Sequence, residues 1–131
     1  MQEILFRAKR KDNEHWVEGS LVASEYILDH KQESKYFDIG GWFEGQMHEI
    51  IPKTVSQYIG INDENKIRIF KDDIVEFTYF NCPYRAVVRF HKGCFELYWK
   101  GDMGESHSVH VRFADHIKVI GNIIDNPELL V

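Results

Sequence analysis

Apolar and polar residues alternate with a period of two in two stretches of this chain, residues 3–8 and 84–90, and short apolar runs between turn signals fill much of the rest. At the start, Ile4, Phe6 and Ala8 fall on one side and Leu5 and Arg7 on the other, the pattern of a half-buried strand. Arg7, Lys9, Arg10 and Lys11 then form a basic cluster, and Asp12, Asn13 and Glu14 turn the chain. The run from His15 to Leu21 returns with Trp16, Val17 and Leu21, so a hairpin is predicted. Residues 24–30 fit either a short strand or one helical turn, and a polar loop follows. Tyr36 to Ile39 reads as a strand broken by Gly40 and Gly41, with the large apolar pair Trp42 and Phe43 behind it. Met47 to Ile51 is a further strand, and Pro52, which cannot donate to a ladder, marks an edge or an end.

The second half is more regular. Thr54, Val55, Tyr58 and Ile59 are β-branched or aromatic types that suit a pleated, half-buried surface. Gly60 ends that run, and the polar cluster Asn62 to Asn65 signals a turn. Ile67, Ile69 and Phe70 follow, then a charged corner at Lys71-Asp72-Asp73, then Ile74, Val75 and Phe77. The carboxylates of Asp72 and Asp73 are placed to accept hydrogen bonds from backbone amides freed at that corner. Ile74 to Phe80 leads to a turn at Asn81-Cys82-Pro83. Tyr84 to Phe90 returns with Tyr84, Ala86, Val88 and Phe90 against Arg85, Val87 and Arg89. Lys92-Gly93 turns into Cys94 to Trp99, Gly101 to Ser106 reads as a mobile loop, and Ser108 to Phe113 is extended. Ile117 to Ile124 closes the sheet, with a short turn around Pro127 to Leu130. No long stretch carries the helical period, which makes the chain all-β.

Three stretches resemble the YopX-like family of phage and prophage proteins. The first matches its Thr-Val-Gly-Gln-Tyr-Thr-Gly run and later Glu-Gly-Asp-Ile-Val through Thr54, Val55, Gln57, Tyr58, Gly60, Phe70, Asp73, Ile74 and Val75. The second is Val119 to Leu130, where Gly121, Asn122, Asn126 and Pro127 match the closing Gly-Asn-Ile-Tyr-Glu-Asn-Pro-Glu-Leu. The third is Glu3 to Ala8, similar to the opening strand. There are departures: Ser56, Lys66 and Asp72 stand where the family has glycine, Ile124 replaces an aromatic, and Lys9 replaces a tryptophan. The resemblance implies a small SH3-like barrel over residues 54–131 with an N-terminal β-hairpin extension over residues 1–53, together a single domain spanning residues 1–131. It implies no established activity and no catalytic residues.

Composition narrows the function. Of 131 residues, 44% are hydrophobic and 28% charged, ordinary for a globular chain able to bury a core without staples. The formal net charge of −5 argues against broad attraction to nucleic acid or anionic lipid. No apolar run is long enough for a membrane span. Two cysteines and no export signal suit a reducing cytoplasm, that of a host cell if the protein is phage-encoded. Cys82 and Cys94 flank a strand of seven residues, so they are expected about 20 Å apart, beyond disulfide reach. His107 and His110 have an odd offset that points them to opposite faces of a strand. The sequence has no HExxH, no CxxC, no nucleophile elbow and no phosphate-binding glycine loop, and nothing in it calls for a metal, a cofactor or catalysis.

Two binding readings follow. A non-catalytic accessory protein would act through a protein partner or through self-association, with Trp42 and Phe43 as the candidate surface. Alternatively, Arg7, Lys9, Arg10 and Lys11 would join Arg85, Arg89 and Arg112 in a weak nucleic-acid site, with Tyr84, Phe90 and Trp99 stacking on bases.

Overall fold

The structure is a computed structural model. It describes all residues except 1–3, 23, 30–34, 38–40, 44, 45 and 131, and for residues 35–37, 41–43 and 46 it describes the backbone only. The chain divides into two compact units, Met1–Tyr58 and Ile59–Val131. That division falls inside a strand, beyond the 53/54 boundary drawn from sequence.

The first unit holds strands β1 (Phe6–Lys9), β2 (Trp16–Val22), β3 (Tyr26–Asp29), β4 (Lys35–Phe37), β5 (Gly41–Phe43) and β6 (Gln46–Glu49), and the start of β7 (Ser56–Asn62). The predicted hairpin is β1 with β2, Ala8 standing opposite Val17. Its turn is closed by the Arg10 N–H donating to His15 O, and by Asn13 Oδ1 accepting from the His15 N–H. The sheet order is β6-β3-β2-β1-β7, with Ser56 and Gln57 of β7 paired to β1. The alternation of β1 and β2 sends Ala8 and Val17 into a small core with Ile27 and Ile50, against which Phe6, Leu21 and Val55 pack. Strands β4 and β5 pair antiparallel as a separate two-stranded sheet. Of the stretch 24–30, left open between strand and helical turn, Tyr26–Asp29 is strand β3, and residue 30 lies outside the described residues. Thr54 differs from expectation: Pro52–Thr54 is a 3₁₀ turn with proline in its first turn, where the missing N–H costs nothing. The buried Thr54 hydroxyl donates to Ile51 O at 2.7 Å and accepts the Lys9 N–H at 2.8 Å, so it ties the turn to β1.

The second unit takes β7 onward into β8 (Arg68–Phe70), β9 (Asp73–Tyr79), β10 (Cys82–His91), β11 (Cys94–Lys100), β12 (Ser106–His110) and β13 (Asp115–Asn122). Five of these make an antiparallel sheet in the order β12-β11-β10-β9-β13. Residues 74–100 form the expected meander. Its first turn is Phe80-Asn81 rather than Asn81-Cys82-Pro83, both residues having positive φ as a two-residue hairpin of matching twist requires. Pro83 sits within β10 beside Thr78, short of where β11 pairing begins at Val87, so its lack of a donor breaks no ladder bond on that side. Cys82 and Cys94 each open a strand and are free thiols. Residues 101–105 are a hydrogen-bonded turn and not an open loop: Gly101 N–H donates to Glu105 O, Gly104 N–H to Gly101 O, and Met103 N–H to Glu105 Oε2.

One face of this sheet buries Val75, Phe77, Ala86, Val88, Leu97 and Val109 with Ile59, Ile69 and Ile117. Tyr84 and Trp99 close that core, their rings 5.7 and 5.6 Å from Phe77. The architecture is all-β, with no α-helix among the described residues. The expected closed SH3-like barrel is not formed by the pairing: β12 and β13 are the two edges of the sheet and do not pair with each other. The β13 ladder is also interrupted twice, between Asp115 and Lys118 and between Val119 and Gly121.

Candidate binding groove

The period of two fixes what the other face of the second unit presents. With Ala86 and Val88 inward, β10 turns Arg85, Val87 and Arg89 outward. Val87 stands opposite Tyr98 and Arg89 opposite Glu96, so β11 adds Glu96, Tyr98 and, two residues on, Lys100. Arg89 Nε lies 2.6 Å from Glu96 Oε1, and its guanidinium covers the Tyr98 ring at 3.9 Å. Arg85 Nη2 lies 3.0 Å from Glu76 Oε2.

The closing motif builds a wall on this face. Asn122 is buried, and its Oδ1 accepts the N–H groups of Ile124 and Asp125. Asn126 donates its N–H to Asn122 O and accepts the Asn122 N–H at its Oδ1. Leu129 N–H donates to Asn126 O within the 3₁₀ turn Pro127–Leu130, and Arg85 Nη1 donates to Leu129 O at 3.0 Å. Gly121 permits this return: a Cβ there would stand 2.6 Å from Asn126 Oδ1 and 3.0 Å from Leu129 Cδ1. Leu129 and Leu130 thereby face the sheet across a groove of about 480 Å³, lined also by Arg85, Val87, Tyr98, Trp99 and Lys100. The lining is aliphatic and aromatic with two cations and no carboxylate. Among the described residues no acid pairs with Lys100.

Beside the groove lies a cleft of about 610 Å³ with a different character, sharing Arg85 and lined by Glu64, Glu76, Phe77, Thr78, Pro83, Tyr84, His116 and Lys118. The turn after β7 organises it. Asp63 is buried and accepts three backbone N–H groups, from Asn65 and Ile67 at Oδ1 and from Val119 at Oδ2, each at 2.9 Å. Glu64 N–H donates to Ile117 O, so this turn covers the outer edge of β13. The Glu64 carboxylate then meets His116 Nδ1 and Lys118 Nζ, both at 3.3 Å. His116 has φ of 53° at the first interruption of β13, a bulge that re-aims its side chain. Every charge in the cleft has an opposite neighbour.

The structure distributes the sequence-predicted site residues as follows. Arg7, Lys9, Arg10 and Lys11 lie in the first unit, Arg85 and Arg89 in the second. Arg10 pairs with Asp12 and Lys11 with Glu49. The hydrogen bond from Arg10 is the main reason the Asp12 carboxyl lies below its ordinary pKa. Arg7 and Lys9 lie over the Trp16 ring at 4.8 and 5.5 Å. Tyr84 and Phe90 occupy the face of β10 opposite to Arg85 and Arg89, because their positions differ by odd numbers. The stacking aromatics therefore do not share a strand face with those arginines, although Tyr84 and Arg85 both line the charged cleft and Trp99 and Arg85 both line the groove. Trp42 lies in β5 opposite Tyr36, and Phe43 opposite Lys35; the side chains of both fall outside the described residues. His107 stacks on Trp99, while His110 Nδ1 accepts the Arg112 N–H and caps the turn Val111–Phe113.

Most family-motif residues are architectural. Val55 packs on the first core, Tyr58, Ile74 and Val75 are buried, and Gln57 pairs β7 to β1. Gly60 has φ of 95°. Asp73 is buried and accepts the Phe70 N–H at 2.8 Å, the amide capture expected at that corner. Lys66 and Asp72, which depart from glycine, nevertheless keep φ of 65° and 73°, so the left-handed turn geometry survives both replacements. Sequence reasoning missed Val87, Lys100, Leu129 and Leu130 as a group. The available signals were the closing motif, which brings its two leucines back toward this face, and the alternation of β10, which put Arg85 and Val87 on one side.

A family model described as YopX protein matches residues 5–131. No curated protein matches the chain. A crystal structure of protein EF1440 from Enterococcus faecalis is similar over the whole of both chains, with a TM-score of 0.64 at 21% identity, a likeness of fold.

Proposed function

The chain belongs to the YopX family, and we propose that it is a non-catalytic binding module whose groove receives a segment of a protein partner. In keeping with the resemblance, we place it among phage or prophage accessory proteins. One observation carries this reading: an open, largely apolar groove bounded by the β10–β11 face and by Leu129 and Leu130. Concave apolar sites of this size with few polar groups are the usual seats of ligands. Aromatic and arginine side chains such as Tyr98 and Arg85 are the types that dominate recognition energy. The basic residues serve the nucleic-acid alternative less well, since Arg10, Lys11, Arg85 and Arg89 each already face a carboxylate. No helix among the described residues is long and apolar enough to cross a membrane.

The test is selection of random peptides displayed on phage against immobilised protein, with Leu130→Asp as the comparison. Leu130 is exposed, so the variant keeps its fold, to be checked by circular dichroism. The expected result is a convergent apolar motif whose affinity falls by roughly tenfold or more on the variant. Failure to converge, or equal binding by the variant, overturns the reading. Sedimentation velocity separates out the case in which a second copy is the partner.

A further inference from the structure

Resting on the groove as a peptide site, we infer that its occupant carries a carboxylate next to its bulky apolar side chains, held by Lys100 and Arg85. The outer face of β9, β10 and β11 carries the cations Arg85, Arg89 and Lys100 against the carboxylates Glu76 and Glu96. Two pairs form, Arg85 with Glu76 and Arg89 with Glu96, and Lys100 is the cation left over. The chain as a whole carries a formal net charge of −5, so acids outnumber bases elsewhere while this lining holds cations alone. Of the four clefts described, the charged cleft contains Glu64 and Glu76, that beside Arg10 contains Asp12 and Glu49, and that beside Phe80 contains Asp115. Only the groove lining has cations without an acid. Glu128 is in the same turn as Leu129 but outside that lining.

Arg85 can take part without giving up its partners. A guanidinium has five donors in a fixed fork, and Arg85 spends Nη2 on Glu76 and Nη1 on Leu129 O. Its contact with Leu129 O also fixes where the apolar wall stands relative to the charge. A carboxylate brought to Lys100 and Arg85 gains charge-assisted bonds at the rim of an apolar site, where screening by water is reduced. An amide in its place gains less, and an ammonium is repelled. The groove therefore selects acidic over neutral and basic segments of equal apolar content.

The experiment is a peptide array in which every pair of large apolar residues is flanked by Glu, by Gln or by Lys, probed with labelled full-length protein, with dodecanoate titrated separately. The Glu set is expected to bind roughly tenfold more tightly than the Gln set, with the Lys set weakest. Lys100→Gln should erase most of that preference, bringing the Glu set down to the level of the Gln set measured on the same variant. Glu76→Gln, which releases Arg85, should widen the preference. Equal binding of the Glu and Gln sets overturns the carboxylate inference and leaves the groove reading standing. Binding by no peptide set overturns both, and saturable binding of dodecanoate alone replaces the peptide with a free amphiphilic acid and overturns the inference as stated.

Discussion

The groove and the charged cleft lie side by side on one sheet of the second unit and share Arg85, yet they are built on opposite principles. In the cleft Glu64 meets both His116 and Lys118, and Glu76 meets Arg85, so each charge is answered where it stands. In the groove Val87, Tyr98, Leu129 and Leu130 leave apolar surface open, and Lys100 forms no ion pair among the described residues. Exposed pairs like those of the cleft contribute little stability, commonly under about 1 kcal/mol, and little recognition, because each partner already has what a ligand would offer. Uncompensated charge beside open apolar surface is the arrangement that gains from a ligand. Size alone would rank the cleft above the groove, whereas chemistry reverses that order.

The largest expected break in this comparison is Asp63→Ala. It strips the acceptor from three backbone N–H groups at once, so denaturant unfolding should show a loss on the order of 3 kcal/mol. Exchange of the Val119 and Ile67 amides should rise with it, while acidic-peptide binding in the remaining folded protein persists. A loss under about 1 kcal/mol would mean the carboxylate does not organise the turn.

Gly121→Ala acts on the other site. Its Cβ would press on Asn126 Oδ1 and Leu129 Cδ1, which pushes the tail off the sheet. A stability cost of about 1–3 kcal/mol is expected, together with a fall in peptide affinity larger than any change in the cleft, read by titration calorimetry and by amide shifts of His116 and Lys118. Unchanged affinity would show that the tail does not form the groove wall.

A smaller change sharpens the cleft. Lys66 holds φ of 65° in the turn that carries Glu64, a conformation that costs an L-residue about 1 kcal/mol or more. Lys66→Gly should therefore raise stability by about 1 kcal/mol in thermal unfolding, without effect on peptide binding. A destabilised variant would contradict the turn geometry.

The smallest effect is on pH. The Glu105 carboxyl lies below its ordinary pKa, chiefly through its own backbone N–H and then through His107. A lowered folded pKa contributes stability that is present above the unfolded value and lost as the pH falls through the folded one. Protection of the Met103 amide, which donates to the Glu105 carboxylate, should thus fall relative to its intrinsic exchange rate on acidification below the ordinary glutamate range, and the Glu105→Gln variant should lack that step. An identical profile in the variant would assign the change elsewhere.

Much of this was legible in the residues themselves. Period-two alternation identified β1 and β10, because a strand with one buried face must repeat every second residue, and turn signals placed β2 and β11 as their hairpin partners. The charged corner before Ile74 announced amide capture, and Asp73 performs it. The three motif stretches identified the family. Other features were decided only by tertiary structure. Whether the edges of the sheet meet depends on pairing between β12 and β13, distant in sequence, and they remain apart. Turn handedness at Lys66 and Asp72 follows from the surrounding hydrogen bonds and not from the residue type. Thr54 became the end of a 3₁₀ turn because β1 offered its hydroxyl a donor from Lys9. The groove itself needed three distant pieces, β10, β11 and the C-terminal turn. The sequence determined that Arg85 and Val87 share a face, and the pairing of β11 with β10 added Tyr98 and Lys100 to it. Only the return of the chain over Gly121, fixed by Asn122 and Asn126, set Leu129 and Leu130 against that face, because a contact between residues far apart in sequence leaves no periodic trace in it.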